Sequence, residues 1–172
     1  MWLLGGLTVK IARMFTVSEA LQARERLRAA GSTLVFTNGH FDLLHVGHVE
    51  YLEKARALGD ALFVGVNGDA STRALKGPGR PLIPAAERAR LLAALRCVDG
   101  SIIFEETTAI PLIELLRPEI YAKGGDYRDK PLPERPTVEN YGGRIVLIDL
   151  VPERSTSALI ARIQALKTDM TE

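Results

Sequence analysis

Cysteine is nearly absent from this sequence, and so are long apolar runs and any large excess of charge. Cys97 is the only cysteine, so no disulfide can form within the chain, and we expect a protein of the reducing cytoplasm. No stretch is apolar for long enough to span a membrane, and the apolar start lacks the leading basic residues of a secretion signal. A formal net charge of +1 argues against nucleic acid as a partner but leaves a local anion pocket open.

The length and composition indicate one globular domain. The chain has 172 residues, of which 47% are hydrophobic and 25% are charged, and this is enough to bury a full core. We predict a single domain over residues 1–172, made of an N-terminal extension and helix over 1–31, a core over 32–167 and a tail over 168–172.

Short apolar runs alternate with helical patterns along the core. The runs predict strands over residues 33–37, 61–66, 101–104, 119–122 and 144–148, and the first is expected to end at Asn38-Gly39. The helical patterns cover 18–30, 47–58, 85–95, 110–116 and 156–166. Lys76–Pro81 and Tyr127–Pro136 are expected to be loops. This order predicts an α/β fold: a Rossmann-like open parallel sheet with helices on both faces, which binds ligands beyond the carboxyl ends of its strands.

All three histidines of the chain, at positions 40, 45 and 48, fall where the first strand gives way to a helix. His45 and His48 are three residues apart, so on a first helical turn their rings project to the same side. The free N–H groups of a helix start favour anions, and the glycines in this segment permit close backbone approach. The segment therefore predicts a phosphate site.

Simpler interpretations of the same residues stay open. A His-x-x-His pair can bind a metal, but a closed zinc site here would need carboxylates, and we expect no protein-held metal. The two histidines can also be ordinary surface side chains. Asp42 can serve in the site directly, or only as a turn or capping residue.

The run His45-Val46-Gly47-His48 matches the His-x-Gly-His signature of the cytidylyltransferase-like nucleotidyltransferase superfamily. From about Lys10 to the last helix the chain most resembles the adenylyltransferases that make ADP-heptose. Further segments that match in order are Gly65-Val66-Asn67, Leu75–Pro81, Lys123–Tyr127 and Ser155-Thr156-Ser157. A lone signature would be weak, but these segments together make the resemblance specific, and the sheet is expected to be of the nucleotidyltransferase type.

The resemblance implies that a phosphate oxygen of the acceptor attacks the α-phosphorus of a nucleoside triphosphate in line and displaces pyrophosphate. It implies three catalytic residues, His45, His48 and Lys76. The implied nucleotide-binding residues are Thr37, Asn38, Gly39, His40, Phe41, Asp42, Gly47, Gly124, Asp126, Ser155, Thr156 and Ser157. The implied substrate-binding residues are Asn67, Arg80, Lys123 and Tyr127. Mg²⁺ is expected to be carried mainly by the nucleotide.

Several of these residues have an ordinary structural interpretation as well. Lys76 can be a solvated residue of a basic loop, and Thr156 can be a plain N-cap. The glycines of Lys123–Tyr127 can form only a tight turn. Arg88 can reach the site or simply lie on the surface of a helix.

The leading hypothesis is transfer of AMP from ATP to a sugar 1-phosphate, in particular a heptose 1-phosphate. His40, where the similar enzymes commonly have cysteine, and the divergent stretch 128–140 put the identity of the acceptor in question. The alternatives are a cytidylyltransferase acting on glycerol 3-phosphate or another polyol phosphate, and a non-catalytic nucleotide-binding module. A homodimer is a further possibility, with Trp2, Leu3 and Leu4 as candidates for the contact.

Overall fold

The computed structural model describes residues 3–4, 7–8, 13–149 and 156–168. Ser155, Trp2 and most of the tail lie outside these ranges. The strands are β1 (Leu3–Leu4), β2 (Leu7–Thr8), β3 (Met14–Phe15), β4 (Leu34–Gly39), β5 (Ala61–Asn67), β6 (Gly100–Phe104), β7 (Ile120–Gly124) and β8 (Arg144–Ile148). The helices are α1 (Val17–Ala29), α2 (Val46–Arg56), α3 (Asp69–Lys76), α4 (Ala85–Ala94), α5 (Ile110–Leu116), α6 (Arg135–Asn140) and α7 (Thr156–Thr168). None of these helices has the length and apolar content that a membrane span requires.

Six of the strands form one parallel sheet in the order β3-β6-β5-β4-β7-β8. Alternate side chains of a strand point to opposite faces, and each face of this sheet has its own core. Leu34 and Phe36 lie in the core that α1 and α5 cover, whereas Val35 lies in the core that α2 and α4 cover. The predicted open parallel sheet with helices on both faces is confirmed.

The first strand does not end where the sequence suggested. Asn38 and Gly39 stay in β4 because they pair in register with Gly65 and Val66 of β5. This pairing carries β4 further toward the ligand-binding edge of the sheet than its apolar run alone indicates.

Two short helices, α3 and α6, were not predicted, and each overlaps a predicted loop by only one or two residues. α3 ends at Lys76, so this lysine belongs to a helix and not to the loop that follows it. α3 has no apolar stripe, since Ser71 and Thr72 are its buried residues. α6 begins at the end of the charged, proline-rich loop, and Leu132 in that loop and Val138 in α6 are both buried in the core.

Candidate active site

A cavity of about 690 Å³ opens beyond the carboxyl ends of β4, β5 and β7, as expected for an open parallel sheet. It brings together most of the residues predicted for the site. Those that line it are Asn38, Gly39, His40, Phe41, Asp42, His45, Gly47, His48, Asn67, Lys76, Arg80, Lys123, Gly124, Asp126, Tyr127, Thr156 and Ser157. Five segments far apart in sequence therefore contribute to one site.

His45 and His48 stack against each other on the cavity wall. His45 is the N-cap residue of α2, and His48 lies in the first turn, where its N–H donates to the His45 carbonyl at 2.9 Å. The ring centroids are 3.8 Å apart and the ring planes differ by 23°. The two imidazoles thus lie beside the free N–H groups of a helix start, the arrangement that favours an anion.

His48 is held in an apolar surrounding. The Phe41 ring packs edge-on against it, with centroids 5.3 Å apart. Phe41 has a φ of 48°, and a Cβ at position 39 would lie 3.1 Å from its ring, so a side chain there would require the ring to shift by a few tenths of an ångström. Burial, with a further contribution from His45, lowers the pKa of His48 to about 4. The imidazole is therefore neutral at pH 7 and donates through a single N–H.

His40 marks the cationic centre of the cavity. Its Nδ1 lies 3.0 Å from the Thr72 hydroxyl. Burial, together with the nearby charges of Lys76, Arg88, Lys123 and Arg80, lowers the pKa of His40 to about 4. Four cations that act on one imidazole create a region suited to a polyanionic ligand.

Asp42 fastens the loop that follows α3 to the site. It is almost fully buried, and its Oδ1 accepts from the N–H groups of Leu82 and Ile83 at 2.7 and 2.9 Å. Its Oδ2 lies 2.8 Å from Arg80 Nε. Asp42 lines the cavity, but its carboxylate is occupied by its own chain, which favours an anchoring role over direct contact with a ligand.

Arg88 is a buried structural anchor and does not decorate a surface. It is fully buried on α4 and donates to the carbonyls of Asn67 and Ile83, each at 2.8 Å, and to that of His40. It also lies 2.8 Å from Asp69 Oδ1. One guanidinium thus holds the ends of β4 and β5 and the start of α4 in a fixed arrangement.

Lys123 lies on the β7 side of the cavity, where a polar network holds it. Its Nζ donates to Asn38 Oδ1 at 2.9 Å, and the Tyr121 hydroxyl donates to the same oxygen at 2.6 Å. The Nζ also lies 5.2 Å from the centre of the Tyr127 ring. Burial lowers the pKa of Lys123, although the carboxylates of Glu134 and Asp126 oppose that shift.

The remaining predicted residues fall in different places. Thr37 is fully buried and does not line the cavity; its hydroxyl lies 2.7 Å from that of Tyr51 and supports the wall from behind. Thr156 begins α7 at the cavity, and its hydroxyl donates to the Leu43 carbonyl at 3.5 Å, which ties α7 to the histidine segment. Among the described residues, no three His, Cys, Asp or Glu side chains converge as metal ligands do.

Sequence reasoning missed six residues that line the cavity: Tyr51, Leu75, Thr107, Thr108, Pro133 and Glu134. Tyr51 lies one turn after His48 in α2, and Leu75 precedes Lys76 in α3, so residues predicted for the site were close to both in sequence. Thr107 and Thr108 follow β6, and their position beyond a carboxyl strand end was the available signal. Glu134 gave no such signal, because a charged residue among prolines is typical of an exposed loop.

Comparisons with known proteins agree with this geometry. The sequence model of the Cytidylyltransferase-like family matches residues 36–166. The chain is 59% identical over 136 residues to the bifunctional protein HldE of Syntrophotalea carbinolica, which covers 79% of this chain and 28% of that protein. It is 55% identical over 139 residues to the bifunctional protein HldE of Pelobacter propionicus, covering 81% and 28%. The chain thus spans less than a third of these curated relatives.

Solved structures share the fold. A lipopolysaccharide core biosynthesis protein from Thermoplasma volcanium aligns with a TM-score of 0.59 at 27% identity, covering 70% of this chain and 98% of that one. A pantoate-beta-alanine ligase from Francisella tularensis aligns with a TM-score of 0.60 at 15% identity, covering 86% and 69%, and shows likeness of fold alone. The matched family model, the HldE relatives and the paired histidines lead to one conclusion: the chain belongs to the cytidylyltransferase-like family of nucleotidyltransferases.

Proposed function

We propose that this chain transfers AMP from ATP to the phosphate of a sugar 1-phosphate, in particular a heptose 1-phosphate, and releases pyrophosphate. The choice of ATP and of a heptose follows from the resemblance to the adenylyltransferases that make ADP-heptose. The identity of more than half of the aligned residues with the HldE proteins supports it.

The observation that carries the proposal is the stacked pair of imidazoles at the start of α2, on the wall of a cation-rich cavity. A triphosphate and an acceptor phosphate both need positive charge and N–H donors, and this wall offers both. His45 and His48 are adjacent, so their N–H groups serve neighbouring oxygens of one phosphate chain.

The chemistry needs positioning more than it needs a base. An acceptor phosphate is already ionised near pH 7, so its oxygen attacks the α-phosphorus without losing a proton to the protein. A new bond forms from that oxygen to phosphorus, the bond from the α-phosphorus to the bridging oxygen breaks, and pyrophosphate leaves with the electron pair. His45, His48 and Lys76 stabilise the charge that grows on the phosphate oxygens.

Two other groups hold the nucleotide in this proposal. The hydroxyls of Thr156 and Ser157, at the start of α7, bind the β- and γ-phosphates together with the free N–H groups of that helix. Mg²⁺ enters with the triphosphate, whose oxygens supply most of its ligands. Asn67, Arg80, Lys123 and Tyr127 are the proposed contacts to the acceptor.

The test is to incubate the purified chain with Mg·ATP and a panel of sugar 1-phosphates, to measure pyrophosphate release and to identify the product by mass. We expect an ADP-sugar, with the fastest turnover for a heptose 1-phosphate. Parallel reactions with CTP and GTP, and with glycerol 3-phosphate, control for the nucleotide and the acceptor. Turnover with CTP alone would refute the adenylyl assignment. Tight ATP binding with no turnover of any acceptor would indicate a binding module.

A further inference from the structure

Thr72 carries a buried hydroxyl next to the cavity, and the proposed transfer reaction gives it no role. It lies in α3, four residues before Lys76, and it is fully buried. Thr72 does not line the cavity itself, but its hydroxyl oxygen lies 3.0 Å from Nδ1 of His40, which does. The direct route from Thr72 to a ligand is therefore the His40 ring.

The His40 ring has one nitrogen left for a ligand. Nδ1 is engaged with Thr72, so Nε2 is the nitrogen that His40 can offer to the cavity it lines. Burial and the surrounding cations lower the pKa of His40 to about 4, so the ring is neutral at pH 7 and carries a single N–H. Nε2 donates or accepts according to which nitrogen holds that proton.

The distances around Thr72 indicate that its hydroxyl donates to Nδ1. The hydroxyl has one proton and two acceptors within reach, Nδ1 of His40 at 3.0 Å and the Asn67 carbonyl at 3.3 Å. A distance of 3.3 Å is long for a hydroxyl donor, and the Asn67 carbonyl already accepts from the Arg88 guanidinium at 2.8 Å. The bond to Nδ1 is therefore the better use of the proton, and it leaves the N–H of the imidazole on Nε2.

The charges around His40 favour the same tautomer when a ligand is bound. Lys76, Arg80, Arg88 and Lys123 all act on the ring, and such a concentration of positive charge suits a polyanion. An ionised phosphate oxygen only accepts hydrogen bonds, so it binds His40 when Nε2 carries the proton. The opposite tautomer would turn a lone pair toward the phosphate and repel it.

We propose that Thr72 is a positioning residue: its hydroxyl donates to Nδ1 of His40 and thereby fixes the tautomer whose Nε2–H binds a phosphate oxygen. The inference rests on the proposed function for the presence of a phosphate ligand. That phosphate belongs either to the triphosphate or to the sugar 1-phosphate. His40 stands where the similar enzymes commonly have cysteine, and a thiol is only a weak donor. The imidazole therefore gives this chain a stronger contact to phosphate at that position.

The first measurement is the tautomer of His40 in the ligand-free chain at pH 7. It is read from the ring nitrogen chemical shifts of the isotope-labelled protein, and His40→Gln identifies the signals of this ring among those of three histidines. We expect a protonated Nε2 and an unprotonated Nδ1. A ring that is protonated on Nδ1 overturns the inference, and this result does not depend on whether the chain binds a phosphate.

The second measurement is a double-variant cycle for the binding of Mg·ATP, followed by calorimetry. His40→Ala should weaken binding by about tenfold, the effect of a hydrogen bond to a charged group. Thr72→Val exchanges the hydroxyl for a methyl group and should cost about threefold, part of that effect, whereas Thr72→Ser should restore binding. Adding Thr72→Val to His40→Ala should cause no further loss, because Thr72 acts through the ring. Ser101→Ala is the matched control, since it removes an equally buried hydroxyl that donates to the Ala89 carbonyl outside the cavity.

The same cycle on the KM for the sugar 1-phosphate distinguishes the two sources of the phosphate. A loss confined to Mg·ATP binding assigns Nε2–H to the triphosphate, and a loss confined to that KM assigns it to the acceptor; each supports the inference. An equal loss from Thr72→Val with and without the His40 ring shows a merely structural role and overturns it. ATP binding and turnover that are insensitive to both residues refute this inference alone. A chain that binds no ATP and turns over no acceptor refutes the proposed function as well.

Discussion

The two ends of the sheet each hold a fully buried arginine, and they use it differently. At the amino end, Arg24 donates to the carbonyls of Leu116 and Arg117 at 2.8 and 2.9 Å and lies 2.5 Å from Glu119. At the carboxyl end, Arg88 holds three carbonyls and Asp69. Both side chains join backbone segments that are far apart in sequence, so the anchoring chemistry is the same.

The difference lies in what surrounds each anchor. Glu119 pairs with Arg24 and also accepts from the Leu34 N–H at 2.8 Å, so the charge of Arg24 is matched within the protein. At the carboxyl end, the charges of Lys76, Arg80 and Lys123 act on His40 in addition to that of Arg88. The arginine at the amino end of the sheet therefore stabilises the core, whereas the carboxyl end surrounds a cavity with positive charge that can bind a ligand.

The largest expected effect is on turnover, in variants of the two stacked histidines. His45→Ala and His48→Ala should each lower turnover by about a hundredfold or more, because donors to the transition state act mostly there. The affinity for ATP should change less. Steady-state kinetics with calorimetry for ATP provides the measurement, and Glu53→Ala, on the exposed side of the same helix, is the control. Near-normal turnover in either histidine variant would contradict the assigned role.

The next effect compares the two anchors directly. Arg24→Met and Arg88→Met should each lower the free energy of unfolding by about 2 kcal/mol, because each leaves buried carbonyl groups without a donor. Only Arg88→Met should also weaken ATP binding, since only Arg88 positions the strand ends around the cavity. Urea unfolding and ATP titration of both variants measure the two quantities. If Arg24→Met weakened ATP binding as much, the functional distinction between the ends would be lost.

A smaller effect tests whether the charge at the carboxyl end serves the ligand. Lys76→Ala should slow turnover by about tenfold, because a cation at the cavity wall stabilises charge in the transition state. Arg73→Ala removes an exposed cation from the same helix, α3, outside the cavity, and should leave the rate unchanged. Equal turnover rates in Lys76→Ala and Arg73→Ala would show that Lys76 is an ordinary solvated lysine with no role in the reaction.

The same comparison explains what the sequence could predict. The His45–His48 geometry depends on one contiguous segment, so local spacing was enough to predict it. Asp42 meets Leu82 and Ile83 only through the tertiary fold, and no pattern in the sequence joins them. Glu134 was beyond prediction because its burial depends on two core residues in a stretch that is otherwise polar. Apolar periodicity predicted the sheet, whereas α3 lacks an apolar stripe and was missed.

The last comparison is a pH dependence of stability that differs between the two ends. The pKa of His40 and that of His48 are both about 4 in the folded chain, against 6.5 ordinarily. As the pH falls below about 6.5, the unfolded chain binds protons that the folded chain does not, so stability should decline between pH 6.5 and 4. Burial acts to raise the pKa of Glu119, but hydrogen bonds from Arg24 and the Leu34 N–H outweigh it and lower the pKa below 4.5. The stability that ionised Glu119 contributes should therefore be lost only below about pH 4.5, a lower range than that of the two histidines.

Urea unfolding measured from pH 7 to pH 3 resolves the two ranges. The double variant His40→Gln, His48→Gln should flatten the decline between pH 6.5 and 4 and keep the decline below about pH 4.5. Glu119→Gln should do the reverse, because it removes the group that titrates at the amino end. If the double variant kept the full upper decline, the two imidazoles would have to be protonated as readily in the folded chain as in the unfolded one. Their burial would then not govern their charge.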